Sequence, residues 1–370
     1  MINKKRIIKT FTDLININSP SFAEGEIGEF LTVRLRKLGF RVARQKYDRS
    51  FNLIASKKGS LKNAKPMLLS AHMDTIEPTK GIRYSVKDGV IRSVGGTVLG
   101  ADDKSAIAQI LEAMTVIRER DLPHGDIEIA FSSAEETGLC GAKNLDFSKI
   151  RSRYALVLDS GGPVGKIVVA APTHVTYEMR ITGRPAHAGI EPEKGISAIR
   201  AAAEIISSVP DGRIDNRTTA NIGIISGGTA TNVVPKEVLL KGEVRGHNDS
   251  VLRSTKNRIF GTARSVAKKL KAKIDIAEKQ EYLSFRIREK EPFLLYMDLV
   301  FEKCGIDPEH VVTGGGSDAN IFHQHGIMTL NLSTGMQNVH SHEEFIRIED
   351  LYNGSSIVLQ AIADFGLQSS

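Results

Sequence analysis

The chain has 370 residues, 41 % of them hydrophobic and 25 % charged. At roughly 100–200 residues per domain this ordinary globular balance points to two domains, and it excludes a collagen, a disordered chain and a disulfide scaffold. Two cysteines, Cys140 and Cys304, and no uncharged apolar run near the roughly 20 residues that span a bilayer favour a reduced, cytoplasmic protein without membrane insertion. The basic start of the chain does not read as a signal peptide, because Lys9 and Asp13 interrupt its apolar stretch.

Helical spacing of Ile7, Ile8, Phe11, Leu14 and Ile15 predicts a first helix. Ile27, Phe30, Leu31 and Leu38 predict a second, ending at Gly39. Apolar runs at 52–55, 67–71, 127–131 and 154–158 read as strands, and Ile107, Ile110, Leu111, Met114 and Ile117 as a helix between the second and third of them. This alternation predicts an α/β sheet covered by helices. From about 175 the pattern becomes strand (175–181), helix (196–206), strand (220–226), strand (238–245) and a basic helix over 253–273, one α+β unit. After about 285 the α/β pattern returns with helices near 293–304 and 348–365, so the middle unit is an insertion. Between 175 and 284 stand eighteen Lys and Arg against twelve Asp and Glu, a net +6 of the chain's +7. The excess reads as a solvated helix face; no aromatic interleaving accompanies it, which argues against nucleic acid as a partner.

Acids and imidazoles concentrate at predicted strand ends, where open α/β sheets place their sites. His72 and Asp74 close the strand at 67–71. Asp102 and Asp103 stand in the G-A-D-D-K run at 100–104, just before a helix. Glu135 and Glu136 follow the strand at 127–131, Asp159 ends the run at 154–158, and His340 lies downstream in N-V-H-S-H-E-E at 338–344. A divalent cation asks for neutral nitrogens and anionic oxygens, with a carboxylate shared where two ions sit together. Adjacent Glu135 and Glu136 could divide the tasks of base and ligand. Taken singly, each acid reads as a cap or turn residue; the weight lies in their joint placement. The glycine run at 314–316 could cradle phosphate, but the P-loop lysine and G-x-G-x-x-G are absent.

The H-M-D-T run at 72–75, L-G-A-D-D-K at 99–104, the Glu135–Glu136 pair, Asp159 and the run at 340–344 together resemble the dizinc peptidases that include peptidase T, carboxypeptidase G and succinyl-diaminopimelate desuccinylase. G-R-P-A-H-A-G at 183–189 and P-E-K-G-I-S-A at 192–198 place the resemblance nearest the peptidase T-like branch. It implies a catalytic domain of 1–174 and 285–370, with a mixed sheet flanked by helices, and an inserted lid and dimerisation domain of 175–284. It also implies that Asp102 bridges two zinc ions, with cobalt or manganese as alternatives. His72 and Asp159 would complete one site, Glu136 and His340 the other. Glu135 would be the general base, and Asp74 would orient His72. The family's D-x-K spacing to Lys104 selects Asp102 over Asp103, and a glutamate four residues on, Glu344, selects His340 over His342. The resemblance further implies a cis peptide bond between Asp102 and Asp103.

By the same resemblance, His187 would hold the reacting carbonyl oxygen as it becomes an oxyanion, and Asn232 and Arg245 would grip substrate. The glycine-rich loop with Gly316, Ser317 and Asp318 would also line the substrate site. The structural alternatives are a surface-loop histidine for His187 and a strand-end ion pair for Arg245. The implied activity is hydrolysis of an amide bond in short peptides, as a tripeptide aminopeptidase. A carboxypeptidase, dipeptidase or N-acyl amino-acid amidohydrolase would use the same chemistry. The implied partners are a short peptide and a second copy of the chain through the lid. A metal-free binding protein would be expected to lack some of these ligands or the base, whereas every position is filled. Cys140 reads as a small core residue. His323 and His325 read as structural or exposed, and His124, His174, His247 and His310 show no pattern.

Overall fold

The computed structural model describes residues 1–367, so the last three residues of the expected catalytic segment lie outside the described residues. Two compact units are present: Met1–Val169 with Arg286–Val312 and 317–367, and Ala170–Phe285 with Thr313–Gly316. The second begins five residues earlier than periodicity placed it, because it takes in the whole strand Thr173–Thr182 and the end of the strand Lys166–Ala171, and it includes a short return of chain.

In the first unit the strands Ile127–Ser132, Met67–His72, Tyr154–Ser160 and Met328–Ser333 lie side by side and parallel. Ser50–Lys57 and Lys166–Ala171 flank them antiparallel, making a mixed sheet. Met67–His72 and Ile127–Ser132 are buried along their whole length, as parallel strands covered on both faces must be. Helices Lys4–Ile15, Ala101–Glu119 and Ile348–Leu367 pack on one another, and Ala101–Glu119 lies against the central strands. Asn3 caps the first of these, its side chain accepting the Arg6 N–H. A smaller sheet joins Tyr84–Lys87, Val90–Ser93, Phe345–Arg347 and Met336–Gln337; the loop between the last two carries His340. The Asp102–Asp103 peptide bond is cis.

The second unit is one antiparallel sheet in the order Gly212–Asp215, Thr218–Gly227, Glu237–Gly246, Thr173–Thr182 and Lys273–Tyr282. Helices Ala198–Ser208 and Asp249–Lys269 bury Ala201, Ile205, Ile259 and Ala263 against Val175, Tyr177, Met179, Ile181, Leu240 and Val244 of one sheet face. The alternate residues of those strands, among them His174, Thr176, Glu243 and Arg245, therefore occupy the helix-free face. The basic helix ends at Lys269, short of the expected 273: Lys271 has φ +57° and Lys273 already belongs to a strand. Among the described residues no helix is long and apolar enough to cross a membrane.

Candidate active site

The parallel strands end on one side of the first unit, and each delivers part of a polar cluster there. His72 is the last residue of Met67–His72, Asp159 the penultimate one of Tyr154–Ser160, and Glu135 and Glu136 follow Ile127–Ser132. Asp102 enters from the start of Ala101–Glu119 and His340 from the loop of the small sheet. His72 Nε2 lies 3.0 Å from Asp102 Oδ1 and 3.8 Å from Asp159 Oδ1. His340 Nε2 lies 2.9 Å from Glu136 Oε1 and 3.3 Å from Asp102 Oδ2. Two trios result, His72–Asp102–Asp159 and Asp102–Glu136–His340, each with its donor atoms within 4.8 Å of one another and with Asp102 common to both. Asp103 turns away, one oxygen accepting the His72 main-chain N–H. His342 is exposed and belongs to neither trio.

Buried acceptors hold this geometry. Asp74 accepts the N–H groups of Glu135 and Glu136 and the Ser21 hydroxyl, while its carbonyl oxygen meets His72 Nδ1 at 2.9 Å. It thus orients both His72 and the Glu135–Glu136 backbone. Glu344 accepts from the N–H groups of Leu99, Gly100 and Asp102, fixing the turn that presents Asp102. Glu24, at the start of Gly25–Lys37, accepts from Ala134 N–H and the Ser50 hydroxyl. Asn331 accepts the Asp159 N–H and donates to the Asp159 carbonyl and to Ser317 Oγ. Lys104 turns inward and donates to the Ile17 carbonyl; burial brings its ammonium down to about 7.

Burial opposes protonation of His72, yet hydrogen bonds to Asp102 and Asp74 outweigh it and hold the ring well above the usual imidazole range. His340, hydrogen-bonded to Asp102 and Glu136, is pushed up to about 10. Burial works to raise Asp102, but His340 and His72 hold it below the usual carboxylate range. Burial drives Glu135 and Asp159 well above that range, and the acids around them add to it. Three carboxylates and two imidazoles converging with oxygens and nitrogens free to share make a donor set that fits divalent cations, whose charge would offset the crowding of acids.

Residues 68–364 match Peptidase family M20/M25/M40. The chain belongs to that family. Membership makes it a peptidase. It is 37 % identical to an uncharacterized protein, YqjE, of Bacillus subtilis (strain 168), over 98 % of this chain and 99 % of that one. The crystal structure of aminopeptidase PepT from Bacillus cereus ATCC 10987 superposes with a TM-score of 0.89 at 37 % identity, over 98 % of this chain and 99 % of that one. A tripeptidase from Staphylococcus aureus subsp. aureus Mu50 gives a TM-score of 0.94 at 33 % identity over the whole of both chains. These neighbours place this peptidase in the peptidase T-like branch.

The remaining expected residues fall in two places. Ser317 and Asp318 are buried in the first unit: Ser317 caps Asp318–Gln324, and Asp318 accepts from Ser132 at 2.5 Å. Burial pushes Asp318 up to about 6. His187, Asn232, Arg245 and Gly316 belong to the second unit. His187 is exposed and bridges Val233, while the Asn232 carbonyl accepts the Ala188 N–H, so the two loops are tied together. Arg245 forms an ion pair with Glu243. Sequence reasoning missed Glu24, Glu243, Tyr282 and Asn331. Asn331 left a signal, an amide inside the apolar strand Met328–Ser333; Glu243 left one in its i, i+2 spacing to Arg245. Cys140 is half-buried, its Sγ facing the Thr137 carbonyl at 3.4 Å, rather than a core residue, because it opens the short helix Cys140–Lys143, whose buried positions are Gly141 and Ala142. His323 and His325 are structural: the first meets the Thr329 carbonyl, and the second stacks on Phe147.

Proposed function

We propose that this peptidase is a two-zinc aminopeptidase that removes the N-terminal residue of tripeptides in the cytoplasm, with cobalt or manganese able to replace zinc. The observation that carries the reading is Asp102, common to two donor trios beside Glu135. The aminopeptidase and tripeptidase names of the two relatives at 37 % and 33 % identity support the substrate class.

His72, Asp102 and Asp159 would hold one ion, and Asp102, Glu136 and His340 the other. Cations bound there supply Lewis-acid polarisation and lower the pKa of water toward about 7. Glu135 takes a proton from the attacking water on its carboxylate and returns it to the leaving amine nitrogen. Asp74 keeps the His72 ring and the Glu135 backbone in place. His187 donates to the carbonyl oxygen as negative charge gathers on it. Asn232 and Arg245 hold the substrate. Gly316, Ser317 and Asp318 line its binding loop, where the inward-turned Ser317 and Asp318 side chains leave the main chain to make the contact.

A second copy of the chain is the proposed partner, through the second unit. Thr218–Gly227 pairs with Gly212–Asp215 only over 218–220, and its remaining outer edge is uncharged and exposes Ile224 and Ile225. Such an edge is a template for another strand.

The test is to strip the protein with a chelator and restore zinc, cobalt or manganese while following free tripeptides, N-blocked peptides and N-acyl amino acids. Metal-dependent release of the first residue from free tripeptides alone is expected. Turnover of the blocked or acylated substrates instead would move the assignment to an amidohydrolase or carboxypeptidase.

A further inference from the structure

Three helices of the first unit, Lys4–Ile15, Gly25–Lys37 and Ala101–Glu119, line a recess of about 180 Å³. Four basic side chains face it, Arg6, Arg34, Lys37 and Arg118, against one acid, Glu112. Leu38 and Leu111, both buried, form its apolar wall. Arg118 follows Lys104 by fourteen residues on one helix, about 20 Å at 1.5 Å per residue, so the recess is remote from the cluster around Asp102.

Positive charge is left over in this recess. Arg6 neutralises Glu112: its Nε and Nη2 donate to the two carboxylate oxygens at 2.6 and 2.8 Å, and its Nη1 donates to Glu119. Arg34 Nη2 donates to Thr10 Oγ1 at 3.3 Å, and Arg118 Nη1 donates to the Lys37 carbonyl. A guanidinium carries five N–H groups, so most of both forks stay open. Among the described residues neither of these arginines nor Lys37 pairs with an acid.

Basic residues gather in the last turn of a helix to offset its dipole, and the bond from Arg118 to the Lys37 carbonyl is of that kind. The dipole does not explain why Arg34 reaches across to Thr10 on another helix, nor why three unpaired cations share one recess. Their field reaches Lys57, whose Nζ donates to the Leu38 carbonyl at 3.0 Å. Burial first, and then Arg118, hold the Lys57 ammonium below its usual range, with Asp121 working the other way. A cleft lined by one sign of charge against apolar walls concentrates the opposite ion. A phosphoryl dianion suits this donor set, because its outer oxygens accept from two guanidinium forks and an ammonium together.

We propose that this recess is a binding site for a phosphoryl dianion, held by Arg34, Lys37 and Arg118 and separate from the catalytic cluster. The bound anion ties Gly25–Lys37 to Ala101–Glu119, and Leu38 and Leu111 give an organic substituent on the phosphate an apolar wall.

The probes are inorganic phosphate and glycerol 3-phosphate, each titrated calorimetrically into the metal-loaded full chain. Wild type should show a site that Arg34→Gln and Arg118→Gln each weaken by about tenfold or more, the loss of one charged fork. Lys37→Gln, at an exposed position, should weaken it by about threefold. Peptide turnover without phosphate should be the same in all three variants as in wild type. Equal affinity for the two probes would make free phosphate a sufficient ligand, and tighter binding of the monoester would show that the leucine wall takes part; either supports the site. Should one arginine variant fail to fold by circular dichroism, the other decides together with Lys37→Gln. No binding to wild type overturns the proposal. So does equal binding to wild type and every folded variant, as an anion held at the metal cluster would give.

Discussion

The two units aim their polar side chains by opposite means. In the first, the groups that converge are set by main-chain anchors: Asp74 and Glu344 spend their carboxylates on backbone N–H groups, and each is 1 % exposed or less. In the second, Arg245 is set by side chains alone, across strands, with Arg245 and Glu243 about a third exposed. Backbone-anchored geometry in a buried place is stiff and fails abruptly when one acceptor is lost; side-chain pairing near solvent is graded. Chemistry that depends on distances of a few tenths of an ångström belongs with the first, and recognition with the second.

The sharpest break in this contrast is Glu135→Gln. It should reduce kcat by about 100- to 10,000-fold while the protein still binds its metal, since Glu135 belongs to neither donor trio. Near-normal turnover with metal retained would remove Glu135 from proton transfer.

His187→Ala asks whether the second unit also takes part in the chemistry. A loss of about 100- to 1,000-fold in kcat with little change in KM is expected of an oxyanion donor. A pure KM effect would confine that unit to recognition. Glu344→Gln tests the anchors themselves. Three N–H groups lose a carboxylate partner, and metal affinity should fall by about 10- to 100-fold although no ligand is touched. Titration of the stripped variant with zinc against wild type measures it, and equal affinities would show that the Asp102 turn holds without Glu344.

The smallest expected effect concerns pH. The hydrogen bond from His174, reinforced by Arg245 against the cost of burial, draws Glu243 down to about 2. A carboxyl whose folded pKa lies below its unfolded value of 4.5 contributes stability that is fully present above 4.5 and is lost as pH falls toward 2. Wild type should therefore exceed Glu243→Gln in thermal midpoint at neutral pH, with the gap closing over that window. A gap independent of pH would mean that the pair contributes packing and not charge.

The same contrast explains what could be read from the chain. His72, Asp102, Glu135, Glu136 and Asp159 stand beside largely apolar strands or a strongly periodic helix, so their placement at sheet ends follows from local pattern. Asp74, two residues after His72, shares that local signal, but the other anchoring acceptors come from 24, 331 and 344, and nothing local links such distant positions. The strand Arg41–Tyr47 escaped notice because it is an edge strand, four of its seven residues exposed and only the first residue's successor, Val42, aliphatic and branched. Lys273–Tyr282 was hidden by the basic helix before it, whose periodicity runs on until the positive φ at Lys271 breaks it. The Arg245–His174–Tyr282 row exists only once three strands are in register, so His174 carried no signal of its own.

The central claim is that Asp102 is shared by two cation sites. Anomalous diffraction from crystals grown with zinc, collected on both sides of the zinc edge, tests it most directly. Two peaks about 3.5 to 4 Å apart are expected, one beside His72 and Asp159, the other beside Glu136 and His340, with one Asp102 oxygen facing each. A single peak, or peaks held by Asp103 or His342 in place of Asp102 and His340, would contradict it.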